Sequence, residues 1–342
     1  MTSENGSHSA AQGASLNRIH ELSRAFQASR ILLTAYELGI FSAVGEKQKT
    51  SAEVAVAIKA DQRATDRLLN ALCALELLAK SGDAYSNLPA AAKYLIEGKP
   101  DYLAGLMHTV HLWDSWSTLT EAVRRGGTVR SRSVFEEDER WLKAFIAAMH
   151  GRAVEEAPSV VAQIDLRGVF DVLDVGGGSG AFSMAFVRAK DDLRATVFDL
   201  PGVVPLTREY IEQAGLVERI SIIPGDYARD ELGSGFDLAF LSAIIHSNSY
   251  DQNQELVHKV SRCLKTGGRI VISDFIMEDN RFEPITGALF ALNMLTGTPR
   301  GDTYTESEIK RWMHQAGFVF NQRIDLGRGR SLMIGTVRQQ RA

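Results

Sequence analysis

The sequence predicts an α/β protein in which a helical N-terminal domain precedes a doubly wound parallel sheet that ends in an antiparallel strand pair. From about Leu16 to Met149, apolar residues recur at helical spacing. From Val169 onward, short β-type runs alternate with helical segments, which is the pattern of a parallel sheet covered on both faces. The chain then has two further β-type runs, FVFNQRID and SLMIGTVR, joined by the glycine-rich turn LGRGR. These runs predict the antiparallel pair.

The composition is that of an ordinary globular protein of about two domains. Its 342 residues carry a net charge of −4, so the basic excess typical of proteins that bind nucleic acid or anionic lipid is missing. Cys73 and Cys263 lie far apart in helical patterns, which excludes a disulfide framework and a thiolate zinc site. No apolar run approaches the roughly 20 residues that cross a bilayer, and residues 1–15 have the composition of a disordered tail. These features predict a cytoplasmic protein without a membrane or nucleic-acid partner.

The N-terminal half contains a predicted helix-turn-helix. Thr50 followed by Glu53 is typical of a helix start, and helices are predicted over Ser51–Ile58 and Arg63–Leu78. The segment KSGDAYSN after them predicts a hairpin or wing. A DNA-binding role is disfavoured, because residues 61–80 carry three basic and three acidic side chains and therefore no positive excess. The many leucines of the second helix favour a subunit interface. Two further helices are predicted over Trp113–Arg125 and Trp141–Ala162.

The C-terminal half has the alternation of a doubly wound sheet. Such strand–helix–strand units are right-handed and place neighbouring strands parallel. Strands are predicted at 169–175, 194–199, 219–223, 236–242 and 269–275, and helices near 180–190, 202–215, 250–264 and 305–316.

The segment VLDVGGGSGAFS predicts a nucleotide-binding turn. The strand that ends at Val175 leads into Gly176, Gly178 and Gly180, and glycines let the backbone adopt positive φ and let a ligand approach closely. The helix after the loop points its free N–H groups at that ligand. Asp199 ends the next strand, where its carboxylate can accept hydrogen bonds from both ribose hydroxyls. The same glycines with Ala181 also satisfy a dinucleotide fingerprint, so a nicotinamide-dependent oxidoreductase is the alternative.

Three features favour S-adenosylmethionine as the nucleotide. Asp174 stands just before the glycines, where it can orient the loop and meet the ammonium of a methionine moiety, directly or through water. Asp226 follows the third strand, where it can receive the adenine amino group while Tyr227 packs on the ring. The terminal antiparallel pair is the third feature.

The sequence resembles the S-adenosylmethionine-dependent O-methyltransferases that include plant caffeate-type enzymes, the acetylserotonin enzyme and bacterial polyketide enzymes. The resemblance covers about Leu16 to Val337 and depends on ordered motifs: ELGIF, FIAAMHG, VLDVGGGSG, FDLPGVV, PGDY, LSAIIH, LKTGGRIVISD and YTESEIKRWMHQAGF. It implies a Rossmann-like catalytic domain, a winged-helix-like all-α N-terminal domain and an intertwined homodimer. The implied domains are a tail (1–15), a dimerisation domain (16–100), connecting helices that line the substrate pocket (101–160) and a catalytic domain (161–342). The implied contacts to S-adenosylmethionine, or to its product S-adenosylhomocysteine, are Asp174, Gly176, Gly178, Gly180, Asp199, Leu200, Asp226, Tyr227 and Ser242.

His246 is the predicted general base, because it follows the fourth strand on the same edge as the glycine loop. Imidazole titrates near neutral pH, which suits the removal of a proton from a phenol during methyl transfer. The resemblance places the family's base at this histidine and one flanking carboxylate at Asp274. The acid and tryptophan that follow the histidine in many relatives are replaced by Ser247 and Asn248, and the second family carboxylate is replaced by Thr303. Glu306 and Glu308 are expected to cap a helix instead. C-methylation and a catalytically inactive binding protein therefore remain alternatives.

The resemblance also places a methyl acceptor beside aromatic and methionine side chains. Such a crevice suits a flat, mostly apolar molecule that carries a hydroxyl. No metal site is predicted, because the closest histidines outside the tail, His108 and His111, lack acids at ligand spacing. The predicted acceptor residues are His108, His111, Trp113, Trp116, Phe145, Met149, Phe290, Asn293 and Met294.

Overall fold

The computed structural model describes residues 15–129 and 139–338. The chain divides into two compact units, with the division between Val110 and His111. The predicted tail lies outside the described residues except for Ser15, whose side chain caps the first helix.

The N-terminal unit is helical, as predicted, and carries a small antiparallel sheet. Its strands pair in the order β1-β3-β2, so the predicted hairpin is present and β1 is an additional strand. The elements are α1 (Leu16–Arg24), α2 (Phe26–Glu37), α3 (Ile40–Val44), β1 (Lys49–Thr50), α4 (Ser51–Ala57), α5 (Gln62–Ala74), β2 (Leu78–Ser81), β3 (Ala84–Asn87) and α6 (Pro89–Tyr94).

Helices α4 and α5 form the predicted helix-turn-helix. Thr50 and Glu53 make a capping box at the start of α4, in which each side chain bonds the backbone N–H of the other residue. The predicted end of the second helix at Leu78 is wrong, since α5 ends at Ala74 and Leu78 begins β2. Glu76 adopts φ 57°, a left-handed conformation that stops the helix while the apolar pattern continues into the strand.

The second unit contains the predicted large sheet with helices on both faces. The division between the units falls within the helix α7 (Leu106–Trp116). The remaining elements are α8 (Leu119–Arg125), α9 (Glu139–Val161), β4 (Asp171–Val175), α10 (Ala181–Ala189), β5 (Arg194–Asp199), α11 (Val204–Gln213), β6 (Ile220–Pro224), β7 (Phe236–Ser242), α12 (Tyr250–Cys263), β8 (Leu264–Met277), α13 (Ile285–Gly297), β9 (Tyr304–Thr305), α14 (Glu306–Gln315), β10 (Phe318–Gly327) and β11 (Arg330–Val337).

The strand order is β10-β11-β8-β7-β4-β5-β6, with the short β9 beside the end of β8. Neighbours from β8 to β6 are parallel, whereas β11 is antiparallel to β8 and β10 is antiparallel to β11. The fold class and the terminal antiparallel pair are therefore confirmed. Two boundaries are wrong: the helix predicted over Trp113–Arg125 is divided between α7 and α8, and β8 extends further at both ends than 269–275.

Each face of the sheet has its own apolar core. One core includes Leu256 and Val260 of α12 with the fully buried Trp312 of α14. The other includes Phe186 of α10 and Val160 of α9. Burial of strands on both faces explains their continuous apolar sequence. Within the described ranges, no helix is both long and apolar enough to cross a membrane.

Candidate active site

The predicted site residues of the sheet collect at one edge. Because β4, β5, β6, β7 and β8 are parallel, their carboxyl ends lie on the same side. The glycine loop follows β4, Asp199 ends β5, Asp226 follows β6 and Ser242 ends β7. This edge is therefore where the sequence places both the nucleotide and the base.

The glycine loop is bound to neighbouring elements on two sides. The N–H of Gly178 donates to Oδ2 of Asp199 at 2.7 Å, and the Thr207 hydroxyl of α11 donates to the Gly178 carbonyl at 2.6 Å. Gly176 adopts φ +64°, and a Cβ there would lie 2.3 Å from Cδ1 of Ile244. Only glycine combines this conformation with so close an approach.

Asp174 lies beneath the loop. It is 1% exposed, and its Oδ2 accepts a hydrogen bond from the Ser183 hydroxyl of α10 at 2.8 Å. A Cβ on Gly177 would lie 2.7 Å from its carboxyl carbon. Burial raises the pKa of Asp174 to about 7, against the opposing effect of the Ser183 hydrogen bond. These contacts suit the predicted loop-orienting role of Asp174.

Asp199 is half-buried and connects the loop to the start of the next turn. Its Oδ1 accepts the N–H of Leu200 at 2.7 Å, and its Oδ2 accepts the N–H of Gly178 at the same distance. Burial raises its pKa, and the two backbone N–H groups oppose that rise. Each carboxylate oxygen has a second lone pair, so the group can still accept two ribose hydroxyls.

The loop after β6 presents Asp226 and Tyr227. Oδ1 of Asp226 accepts the N–H of Ala228 at 2.9 Å, which folds the loop locally. The Tyr227 hydroxyl donates to Oδ1 of Asn248 at 3.0 Å, and burial raises the pKa of Tyr227 to about 12. Both residues lie at the same sheet edge as Ser242, as predicted.

His246 and Asp274 are in direct contact. His246 lies on a 3₁₀ turn after β7, and Ser242 of β7 pairs in register with Ser273 of β8, which brings the next residue, Asp274, beside the turn. The His246 Nδ1 lies 2.8 Å from Oδ1 and 3.0 Å from Oδ2 of Asp274. A carboxylate on Nδ1 favours the tautomer that carries its proton there and leaves Nε2 as a proton acceptor.

The segment that contains Thr303 supports His246 through the backbone. The N–H of Asp302 donates to the His246 carbonyl at 3.0 Å, and a Cβ on Gly301 would lie 2.4 Å from that carbonyl oxygen. Thr303 is buried and supplies no carboxylate. Glu308 forms a capping box with Thr305 at the start of α14, which confirms the capping expectation for it.

Some predicted acceptor residues form one wall beside the base. The ring of Phe290 meets the ring of His246 edge-on, with centroids 4.8 Å apart, and the indole N–H of Trp116 donates to Oδ1 of Asn293. Phe290, Asn293 and Met294 all lie on α13. Phe145 of α9 instead packs with the cluster that contains Val203 and Leu206. The other predicted residues are half-buried: His108, His111 and Trp113 on α7 and Met149 on α9.

His150 contacts the glycine loop but was not among the predicted site residues. Its Nδ1 lies 2.8 Å from the Ser179 hydroxyl, and its ring stacks on Tyr210 of α11 at 3.9 Å between centroids. Burial lowers the pKa of His150, which favours the neutral ring. The one sequence feature that could have indicated His150 is its position in the motif FIAAMHG, next to Met149. Its contact with Ser179 joins residues that are 29 positions apart. Among the described residues, no group of three or more His, Cys, Asp or Glu side chains is arranged to hold a metal.

Comparison with known proteins identifies the family of the chain. A family model for the O-methyltransferase domain matches residues 116–319, and one for the O-methyltransferase dimerisation domain matches residues 20–97. The chain is 34% identical over 304 residues to 3-hydroxy-5-methyl-1-naphthoate 3-O-methyltransferase of Streptomyces sahachiroi, covering 87% of this chain and 88% of that protein. It is 32% identical over 329 residues to acetylserotonin O-methyltransferase of Bos taurus, covering 90% and 93%. An O-methyltransferase family structure from Burkholderia thailandensis has a TM-score of 0.85 at 27% identity, covering 96% of this chain and 99% of that one.

The fold and the site define a methyltransferase with a dimerisation domain. The chain belongs to the O-methyltransferase family and is an S-adenosylmethionine-dependent enzyme. The resemblance seen in the sequence is thereby confirmed. The nicotinamide alternative left open by Gly176, Gly178 and Ala181 is not the function of this chain.

Proposed function

We propose that the chain methylates a hydroxyl group of a small aromatic or polyketide-like metabolite, with His246 as general base and Asp274 as its orienting partner. The contact between the buried Asp274 carboxylate and Nδ1 of His246 carries this proposal. It leaves Nε2 as the basic nitrogen of a ring that meets the Phe290 ring edge-on.

The sheet edge fits the cofactor. Gly176 and Gly178 provide a backbone surface without side chains, and Asp199 has oxygens with free lone pairs at the next strand end. Asp226 and Tyr227 then stand on the adenine side, and Ser242 lies between them and His246 along the chain. S-adenosylmethionine, when bound, supplies an electrophilic methyl group on a positively charged sulfur.

His246 and Asp274 handle the proton. During methyl transfer, Nε2 of His246 would accept the proton of the acceptor hydroxyl. The resulting imidazolium is stabilised by the Asp274 carboxylate, which is 1% exposed and therefore not screened by water. Phe290 fixes the ring plane, and the Asp302 N–H fixes the backbone of the turn.

The acceptor class is supported by the wall and by the relatives. Phe290, Trp116 and Met294 offer apolar surface, and the bonded pair of Trp116 and Asn293 orders it. The Streptomyces sahachiroi relative is named for a hydroxynaphthoate, and a Streptomyces glaucescens relative with 31% identity is named for tetracenomycin polyketide synthesis. A flat hydroxylated ring system is therefore the proposed acceptor.

A homodimer is proposed through α1. Leu16, Ile19 and Leu22 of α1 are each more than half exposed and recur at a spacing of three, and Phe26 at the start of α2 is also more than half exposed, so these residues form an apolar stripe (the α1 stripe). The described part of α1 buries none of its residues within the chain. Since the dimerisation-domain match includes this helix from residue 20, a second copy of the chain is the proposed partner. A cytoplasmic location is proposed as well, because the free cysteines Cys73 and Cys263 suit a reducing compartment.

The test is methyl transfer from isotopically labelled S-adenosylmethionine to a panel of phenols and hydroxynaphthoates. The expected product carries the label on oxygen, and His246→Ala should lower kcat by about 10²- to 10⁴-fold. His314→Ala, which removes an exposed histidine of α14, is the matched control and should leave kcat unchanged. Label on ring carbon would favour C-methylation, and S-adenosylhomocysteine binding without any transfer would favour an inactive binding protein.

A further inference from the structure

A buried polar cluster lies behind the turn that carries His246. Asn248 and Asn253 are 7% and 0% exposed. The Asn248 amide donates to Oδ1 of Asn253 at 3.0 Å, and the Asn253 amide donates to the Ile245 carbonyl at 2.8 Å. The Tyr304 hydroxyl donates to the Asn248 carbonyl at 2.6 Å. We call these three side chains, Asn248, Asn253 and Tyr304, the asparagine cluster.

The cluster fixes the backbone of the His246 turn. The carbonyl of Ile245 is bonded by α12, and the carbonyl of Asn248 is bonded by β9. The carbonyl of His246 itself is bonded by the Asp302 N–H. Buried carbonyls are costly to leave unpaired, so these bonds oppose any displacement of the turn.

Asn248 also reaches the loop on the proposed adenine side. Its Oδ1 is the acceptor for the Tyr227 hydroxyl at 3.0 Å. The Asn248 amide therefore bonds two side chains, since its oxygen accepts from Tyr227 and its nitrogen donates to Asn253. The Lys259 ammonium of α12 fixes the same loop independently, through the carbonyls of Tyr227 and Asp230 at 3.0 and 3.1 Å.

We infer that Asn248 is a positioning residue that orients the Tyr227 ring for the adenine of the cofactor and ties it to the turn that carries the base. This inference rests on the proposed function, in which Tyr227 packs on the adenine and His246 is the base. Asn248 acts through other residues and is not itself a catalytic group. Asn248 thereby links the proposed adenine contact to the turn that carries the proposed base.

The test is a double-mutant cycle on the dissociation constant for S-adenosylhomocysteine, measured by calorimetry. Tyr227→Phe removes the hydroxyl, and Asn248→Ala removes its acceptor. Each is expected to weaken binding by about three- to tenfold, the range for one neutral hydrogen bond. The double variant should be no weaker than the weaker single variant, because both remove the same bond. Tyr250→Phe is the matched control, since its hydroxyl accepts a hydrogen bond from the exposed Arg311 and its loss should leave the affinity unchanged.

Asn248→Asp separates positioning from general destabilisation. It keeps an acceptor oxygen for Tyr227 and should recover most of the affinity lost in Asn248→Ala, even where the unfolding temperature does not recover. If Asn248→Ala fails to fold, the affinities of Asn248→Asp and Tyr227→Phe still test the inference.

The inference is overturned if the losses in the double variant multiply, or if Tyr227→Phe binds as tightly as the wild type. It is also overturned if Asn248→Asp is as weak as Asn248→Ala. A wild-type protein that does not bind S-adenosylhomocysteine would instead overturn the proposed function itself, and this inference with it. The two failures are therefore distinct.

Discussion

Replacement of Asp274 by Asn tests the proposed base most sharply, because the change is nearly isosteric. Oδ1 of Asp274 accepts both the Phe275 N–H at 2.8 Å and the His246 Nδ1–H at 2.8 Å, while Oδ2 lies 3.0 Å from the same nitrogen. In the variant, the amide oxygen is expected to stay on the Phe275 N–H. The amide NH₂ then occupies the Oδ2 position and donates toward Nδ1.

This arrangement favours the wrong tautomer of the imidazole. With Nδ1 as an acceptor, the ring proton lies on Nε2, which can no longer accept the proton of the substrate. Loss of a hydrogen bond to the imidazolium costs about 1.5–3 kcal/mol, or about 10- to 150-fold in kcat. The tautomer change extends the expected loss toward the 10²- to 10⁴-fold that a general base contributes.

The assay is kcat at saturating cofactor and acceptor, with the affinity for S-adenosylhomocysteine measured beside it. Asp274→Asn should lower kcat and leave that affinity unchanged, and it should have no further effect in a His246→Gln background. Asp302→Asn is the matched control, because it removes a half-exposed carboxylate from the segment bonded to the His246 backbone. Wild-type kcat in Asp274→Asn, or losses that multiply in the double variant, would refute the pairing.

Three further predictions concern the cofactor loop and the dimer. Asp199→Asn should weaken S-adenosylhomocysteine binding by about 10- to 150-fold in calorimetry, because it loses charge-assisted hydrogen bonds; equal loss in the exposed control Asp192→Asn would contradict a specific contact. Burial raises the pKa of Asp174 to about 7, so the native state holds this proton more tightly than the unfolded state, and the unfolding free energy falls as pH rises from about 4 to 7. In urea unfolding, the unfolding free energy of the wild type should fall by about 3 kcal/mol more between pH 5 and pH 8 than that of Asp174→Asn. Identical pH profiles of the two proteins would contradict this. Leu22→Glu on the α1 stripe should shift the light-scattering mass from dimer to monomer, whereas an unchanged dimer would exclude the stripe as the interface.

The parts of the site that follow strand ends were predictable from the sequence. Parallel strands place their carboxyl ends together, so the glycine loop, Asp199 and His246 had to share one edge once the alternation was recognised. The family resemblance indicated Asp274 as the carboxylate beside His246. The structure explains their contact by the adjacency of β7 and β8. Local chemistry also predicted the helix start at Thr50 and the capping role of Glu308.

The remaining contacts depend on side chains from elements far apart in sequence. His150 reaches Ser179 from α9, and Trp116 of α7 meets Asn293 of α13, 177 positions away. No periodicity or local motif encodes such pairs. The end of α5 was missed for a different reason, because the apolar residues after it continue the helical pattern while belonging to a strand.

A crystal structure of the complex with S-adenosylhomocysteine tests the central claim most directly. The account predicts the adenosine over residues 176–180, the ribose hydroxyls on Asp199, and the sulfur on the same side of the sheet edge as the His246 ring. A ligand bound elsewhere, or a His246 ring separated from the sulfur by the sheet, would contradict the account.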